Sequence, residues 1–343
     1  MSELRQNRAT KNWIIIASER ARRPDDFRSP EEPRPVPEHD PSCPFCTGNE
    51  SMTPPEVMAV RPPGSAADGP GWSLRVVPNK FAALEPIGEL TRREERDFFR
   101  TMDGFGRHEV IIESPVHNQT IGTMTGKRVE QILLAYRERY RSISRDGHFQ
   151  HVTIFRNNGE RAGTSLVHPH SQLIATPIVP SQTRQVLEEA MRYYDDHGSC
   201  VYCDMITEEV AAGKRIVLED DDFVVFEPFA SRIPFETWIM PRRHDASFGE
   251  ISATEARKCA RVLRRVLAAL HRHLGDPDYN LMICTAPFKD AGEGFYHWHV
   301  ELLPRLTTTA GFELGSGIFI NVTLPEQTAR YLSGIVSSRK RKR

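Results

Sequence analysis

Apolar and polar positions alternate along this chain in short strand-like runs, twice interrupted by a long amphipathic helix. WSLRVVPNKFAAL (72–84) and HEVIIESPVH (108–117) carry the β-branched, apolar-rich pattern of strands. KRVEQILLAYRERYRSISRD (127–146) spaces its apolar residues as one face of a helix. HVTIFRNNG (151–159) and HPHSQLIATP (168–177) return to strand patterns. The same order then recurs. DFVVFEPFA (222–230) and FETWIMPRRH (235–244) read as strands, ATEARKCARVLRRVLAALHRHLGD (253–276) as a helix, and YNLMICTAP (279–287) and HWHVELLPR (297–305) as strands. Between the two series, SQTRQVLEEAMRYYDD (181–196) predicts a further helix, opened by a Ser cap, with Val186, Met191 and Tyr194 among its apolar positions. The Pro-rich stretches 28–42 and 61–71 predict loops.

A C-x-x-C pair precedes each series: Cys43 and Cys46 in CPFC, Cys200 and Cys203 in CVYC. Each second strand ends at a histidine, His117 or His244, and each last strand carries H-x-H. His117 and His168 stand 51 residues apart, and His244 and His297 stand 53 apart. The chain therefore reads as a duplication: two α+β modules, each an antiparallel sheet covered by one long helix. The expected division is 1–178, 179–335 and a basic tail, 336–343, ending in SSRKRKR.

Tetrahedral zinc takes four N or S ligands, and each module supplies two cysteines and two histidines. Two structural zinc ions per chain are expected, one on Cys43, Cys46, His117 and His168, the other on Cys200, Cys203, His244 and His297. A redox dithiol is disfavoured because neither pair opens a helix after a strand. Cys259 and Cys284 lie in periodic apolar contexts and read as core residues.

If His168 turns to a metal, His170 is left over. The loop before it offers Asn157, Asn158, Gly159, Gly163, Thr164 and Ser165, small and polar residues suited to phosphate oxygens, and Gln172 shares the strand face of His170. This points to His170 as a nucleophile on phosphorus, with Gln172 donating to the transferred phosphoryl group. The other H-x-H strand has neither the Asn/Ser loop nor the glutamine, so His299 reads as structural or interfacial.

Charge and composition narrow the classes. With 45 basic and 46 acidic residues, the net charge is −1, which argues against a nucleic-acid binder, including a zinc-stapled one. No apolar run approaches a membrane span, and MSELRQNRATKNW has no signal-peptide pattern. The expectation is a cytoplasmic protein with no membrane partner.

NNGERAGTSLVHPHSQ (157–172) resembles the active-site segment of the galactose-1-phosphate uridylyltransferases, a branch of the histidine-triad superfamily, and the similarity runs over about residues 8–330. The resemblance implies a nucleotidyl-histidine at His170, with Gln172 beside the phosphoryl group and Asn157, Gly163 and Ser165 at the phosphates. SERARRPDDF (18–27) resembles an N-terminal element that carries over Arg20 and Arg23. VPNKFAAL (77–84) resembles the nucleoside element and carries over Asn79 and Phe81, although Lys80 stands where aspartate is typical. A homodimer is implied, each site completed by the partner subunit. The leading expectation is a UDP-glucose–hexose-1-phosphate uridylyltransferase. The doubled Cys₂His₂ pattern and GFELGSGIFIN (311–321) are more similar to the plant ADP-glucose phosphorylase branch, which uses the same histidine with phosphate as acceptor. A nucleotide hydrolase of the same superfamily is the other enzymatic alternative.

Overall fold

The structure is a computed structural model and describes residues 1–17, 23–27 and 35–337. In chain order its elements are β1 (Glu3–Gln6), β2 (Trp13–Ile16), β3 (Met58–Val60), β4 (Leu74–Pro78), β5 (Arg93–Glu95), β6 (Phe99–Thr101), β7 (Arg107–Ile112), α1 (Gly126–Ser144), β8 (His151–Asn158) and β9 (His170–Thr176). Then come α2 (Ser181–His197), α3 (Val201–Ala212), β10 (Ile216–Glu219), β11 (Phe223–Phe226), β12 (Thr237–Pro241), α4 (Ala253–Leu274), β13 (Tyr279–Cys284), β14 (His299–Pro304), α5 (Gly311–Ser316), β15 (Phe319–Asn321) and α6 (Pro325–Ser337). The fold is mixed α+β with antiparallel sheet.

Ten strands form one sheet in the order β3-β4-β7-β9-β8-β13-β14-β12-β11-β10. Five come from each half of the chain, in mirrored order, and the halves meet where β8 pairs with β13, from Tyr279↔Asn158 to Ile283↔Ile154. A smaller sheet, β1-β2-β15, ties the two ends of the chain together.

The sheet is two-faced because its strands alternate. Ile111, Ile154, Leu173, Leu281, Val300 and Ile239 point one way and share the main core with α1, α4 and α6. α1 presents Val129, Ile132, Leu133, Tyr136 and Tyr140 to that core, and the Thr125 side chain caps its start by accepting from the Arg128 N–H. α4 starts with a capping box between Ser252 and Glu255 and ends at Gly275 in the left-handed region. The opposite face carries Gln172, Phe155, Asn157, Met282 and Cys284, which are only half-buried. The chemistry-bearing residues collect on this face.

Some expectations need correcting. Ser181 does not cap α2; Pro180 occupies the cap position and no side chain accepts there. α2 turns Leu187 and Ala190 inward, and Met191 and Tyr194 are 43% and 39% exposed. The second C-x-x-C pair does open a helix, α3, with Cys200 at its cap and Cys203 in its first turn. That helix follows α2 rather than a strand. Val336 and Ser337, assigned to the tail, are the last residues of α6, and Val336 is buried in the main core; residues 338–343 lie outside the described set. Cys259 is buried in the core as expected, whereas Cys284 sits half-buried on the open face. Among the described residues no helix is long and apolar enough to cross a membrane.

Candidate active site

The strand β9 begins at His170, not before it. Pro169 precedes the strand, and its carbonyl accepts from the Glu113 N–H at 3.0 Å. His168 therefore lies off the strand and turns to a different neighbourhood from His170.

His168 meets Cys43, Cys46 and His117, and the four side chains place one ligand atom each within 4.8 Å of the others. Cys46 Sγ is 3.4 Å from His117 Nδ1 and 3.6 Å from His168 Nδ1, and the two Nδ1 atoms are 3.2 Å apart. Ligands bonded at about 2.0–2.3 Å to a tetrahedral centre stand about 3.3–3.8 Å from one another, so this set fits a zinc-sized ion. His168 Nε2–H donates to the Ser114 carbonyl at 2.7 Å, which turns the Nδ1 lone pair towards the sulfurs. Burial holds His168 down to about 4 and pushes the Cys43 thiol up to about 11. A neutral imidazole is ready to ligate, and a cation would favour the thiolate.

Cys200, Cys203, His244 and His297 form a second such group. Cys203 Sγ is 3.3 Å from His244 Nδ1 and 3.4 Å from His297 Nδ1. Both groups could hold a metal, and each brings a distant loop or helix end beside an H-x-H segment.

His170 is 8% exposed. Its Nδ1–H donates to the His168 carbonyl at 2.8 Å, which leaves the lone pair on Nε2. Burial holds the imidazole below the usual histidine value, outweighing the carbonyl bond and Glu113. The edge of Phe45, from inside the first C-x-x-C pair, packs on the ring with centroids 5.3 Å apart. Behind the strand lies a buried polar cluster. Arg156 Nε donates to both Glu113 oxygens at 3.0 and 3.2 Å, and Arg156 Nη1 donates to Asn158 Oδ1 at 2.6 Å and to the Tyr279 hydroxyl at 2.9 Å. Ser171 donates to Glu113 and is also bonded to Tyr136. These bonds fix β9 from its core side.

The loop before His170 is stitched to the second half of the chain. Asn280 Nδ2 donates to Asn157 Oδ1 at 2.8 Å and to the Ala162 carbonyl at 2.9 Å. The Arg161 N–H donates to Asp278 Oδ2 at 2.6 Å. Gly159 and Gly163 have φ of +86° and +90°, and a Cβ on Gly159 would lie 1.8 Å from Asp278 Oδ1. Asn157 thus has its oxygen occupied, and among the described residues nothing accepts from its amide hydrogens. Thr164 and Ser165 border a cleft shared with His117, Asn118 and Asp278.

Residues 1–180 match the family model described as the galactose-1-phosphate uridyl transferase N-terminal domain, and residues 186–335 match the C-terminal domain of the same family. The chain belongs to the galactose-1-phosphate uridylyltransferase family. It is a nucleotidyltransferase of that family. It is 35% identical to the ADP-glucose phosphorylase of Arabidopsis thaliana, over 96% of this chain and 92% of the relative. It is 29% identical to the galactose-1-phosphate uridylyltransferase of Thermotoga maritima, over 97% and 98%. The crystal structure of an Arabidopsis thaliana ADP-glucose phosphorylase with bound ADP-glucose superposes with a TM-score of 0.80, 33% identity, and coverage of 97% of this chain and 99% of that one.

In this uridylyltransferase-family chain the two H-x-H segments are not equivalent. His299 Nδ1–H donates to the His297 carbonyl at 3.0 Å, as His170 does to His168. Glu301 stands two residues on, with Oε1 3.6 Å from His299 Nε2 and Oε2 accepting from Arg232 Nη2 at 2.6 Å. Trp238 stacks on the His299 ring at 4.7 Å. His299 Nε2 therefore faces a carboxylate that is itself paired with Arg232, where His170 has Gln172 two residues on.

The remaining site residues fall in different places. Asn79 and Gln172 both approach His108 Nε2, with Asn79 Nδ2 at 3.1 Å and Gln172 Oε1 at 2.8 Å. Phe81 is 85% exposed, and Arg23 sits on an exposed turn where its N–H donates to Asp26 Oδ2 at 2.7 Å. Arg20 lies outside the described residues. Sequence reading missed His108, Glu113, Arg156, Asp278 and Asn280. Glu113 and Arg156 could have been found as charges inside apolar strands; the others depend on cross-strand register.

Proposed function

We propose that His170 is the nucleophile in a two-step nucleotidyl transfer from a nucleotide sugar. Nε2 attacks the α-phosphorus, the Nε2–P bond forms, and the bond to the bridging oxygen breaks, releasing hexose 1-phosphate. An acceptor oxygen then attacks the same phosphorus and Nε2 leaves. The observation that carries this reading is the Nδ1–H bond to the His168 carbonyl, which frees Nε2 and steadies the positive charge that its phosphorylation creates. Gln172 and the free amide of Asn157 supply donors to phosphoryl oxygens. Holding donor and acceptor in turn against one nitrogen supplies much of the rate.

The pair favoured here is ADP-glucose as donor and phosphate as acceptor. It is supported by the 35% identity to the phosphorylase over nearly the whole chain, by the two Cys₂His₂ groups and by the 311–321 segment. The second reading is UDP-glucose with a hexose 1-phosphate acceptor, supported by the family matches to both halves. Incubation with each α-³²P-labelled sugar nucleotide separates them: the true donor labels the wild type, and His170→Gly takes no label. Equal turnover by His170→Gly contradicts the reading.

The two Cys₂His₂ groups are proposed as structural zinc sites, two per chain, that hold the modules' loops against their sheets; the two mirrored five-strand halves are read as duplicated histidine-triad-like modules. A homodimer is also proposed. Phe81, Ile87, Phe98 and Phe99 are 85%, 72%, 79% and 56% exposed along one excursion next to Asn79, an apolar surface suited to a second copy. Sedimentation should show a dimer, and Phe98→Asp with Phe99→Asp should shift it to monomer.

A further inference from the structure

His108 lies on β7, two residues before Val110, which faces Gln172 of β9. Side chains two apart on a strand share a face, so the His108 imidazole reaches diagonally to Gln172. Three groups surround it. The Ala83 N–H donates to Nδ1 at 3.1 Å. A neutral imidazole that accepts at Nδ1 carries its hydrogen on Nε2. That Nε2–H donates to Gln172 Oε1 at 2.8 Å. Asn79 Nδ2 lies 3.1 Å from the same Nε2, and Asn79 Oδ1 accepts from the Phe81 N–H at 2.9 Å. The Asn79 amide hydrogens find no lone pair in the ring and stay available to a ligand.

We propose that His108 is a positioning residue that locks the Gln172 amide with its oxygen turned inward and its Nε2 hydrogens presented to the transferred phosphoryl group. The inference rests on the reading of His170 as nucleophile and deepens it. A primary amide is nearly symmetric in shape, and only its partners decide which end faces a substrate. The reversed amide would set an oxygen against phosphoryl oxygens, in place of a donor to them. The Ala83 N–H bond at Nδ1 in turn fixes the tautomer and orientation of the His108 ring.

The test is single-turnover labelling of the full chain with the α-³²P sugar nucleotide that it uses. His108→Ala should slow labelling at saturating substrate by about 10–100-fold, with the half-saturating concentration changed by less than about threefold. His108→Gln keeps a side-chain N–H that can donate to Gln172 and should recover most of the rate. In a Gln172→Ala background, His108→Ala should add nothing further, because it acts through that amide. The proposal is overturned if His108→Ala labels at the wild-type rate, if His108→Gln is as slow as His108→Ala, or if the two losses multiply in full. Absence of label on the wild type would overturn the nucleophile reading and this proposal together; label on the wild type with an indifferent His108 overturns only the second.

Discussion

At the scale of single residues, His170 and His168 are distinguished by which ring nitrogen is spoken for. Both are buried, and both have one nitrogen on a backbone carbonyl. In His168 that bond falls on Nε2 and aims Nδ1 at two sulfurs; in His170 it falls on Nδ1 and frees Nε2. The buried Glu113–Arg156 pair behind them is worth little as a net gain but much as something to break. Arg156→Leu leaves Glu113 without its cation and should cost about 3–5 kcal/mol of stability in urea unfolding; a change under about 1 kcal/mol would contradict this account. His151 sets a pH dependence of stability. Burial holds it down to about 4, so between about 6.5 and 4 the unfolded chain binds a proton that the folded chain refuses. Stability from this group is complete above about 6.5 and declines as pH falls through that window, by up to about 3 kcal/mol. His151→Gln should flatten that part of the profile, and an unchanged slope argues against it. The H-x-H motif was legible in the sequence because the proposed ligand and the proposed nucleophile are neighbours there. His108 and Asn280 were not, since their partners Gln172 and Asn157 lie 64 and 123 residues away and meet them only through strand pairing.

At the scale of elements, the long helices and most sheet strands were legible because apolar spacing is enough to place them. α1 and α4 appear where their 3.6-residue stripes predict. α3 was hidden because CVYC reads as a pair of metal ligands that opens no helix, and the α5 region by its three glycines. The loop 159–167 depends on Gly159 more than composition suggests. Gly159→Ala combines a positive φ with a Cβ in the place of the Asp278 carboxylate. It should cost about 1–3 kcal/mol in stability and reduce labelling. Wild-type labelling and melting in this variant would show that the loop can relax without cost.

At the scale of the whole molecule, the halves share one sheet rather than standing as two bodies. Two similar halves were visible in the repeated spacing, but their joining along β8 and β13 was not, because nothing in either strand's sequence names its neighbour. Residues 1–180 expressed alone would leave β8 as an open edge and α1 without α4, and should aggregate. A monodisperse, cooperatively melting fragment contradicts this. Metal analysis of the intact chain should find about two zinc ions, and their removal by a chelator should lower the melting temperature. No metal, or no change on chelation, contradicts the structural role.

The most direct measurement of the central claim is the covalent enzyme itself. Wild-type protein mixed with α-³²P-labelled ADP-glucose or UDP-glucose, quenched and digested, should yield acid-labile label on the peptide containing His170. Phosphate or hexose 1-phosphate should discharge it, and His170→Gly should carry none. Sugar-nucleotide turnover with no label on His170, or label that persists in His170→Gly, contradicts the account.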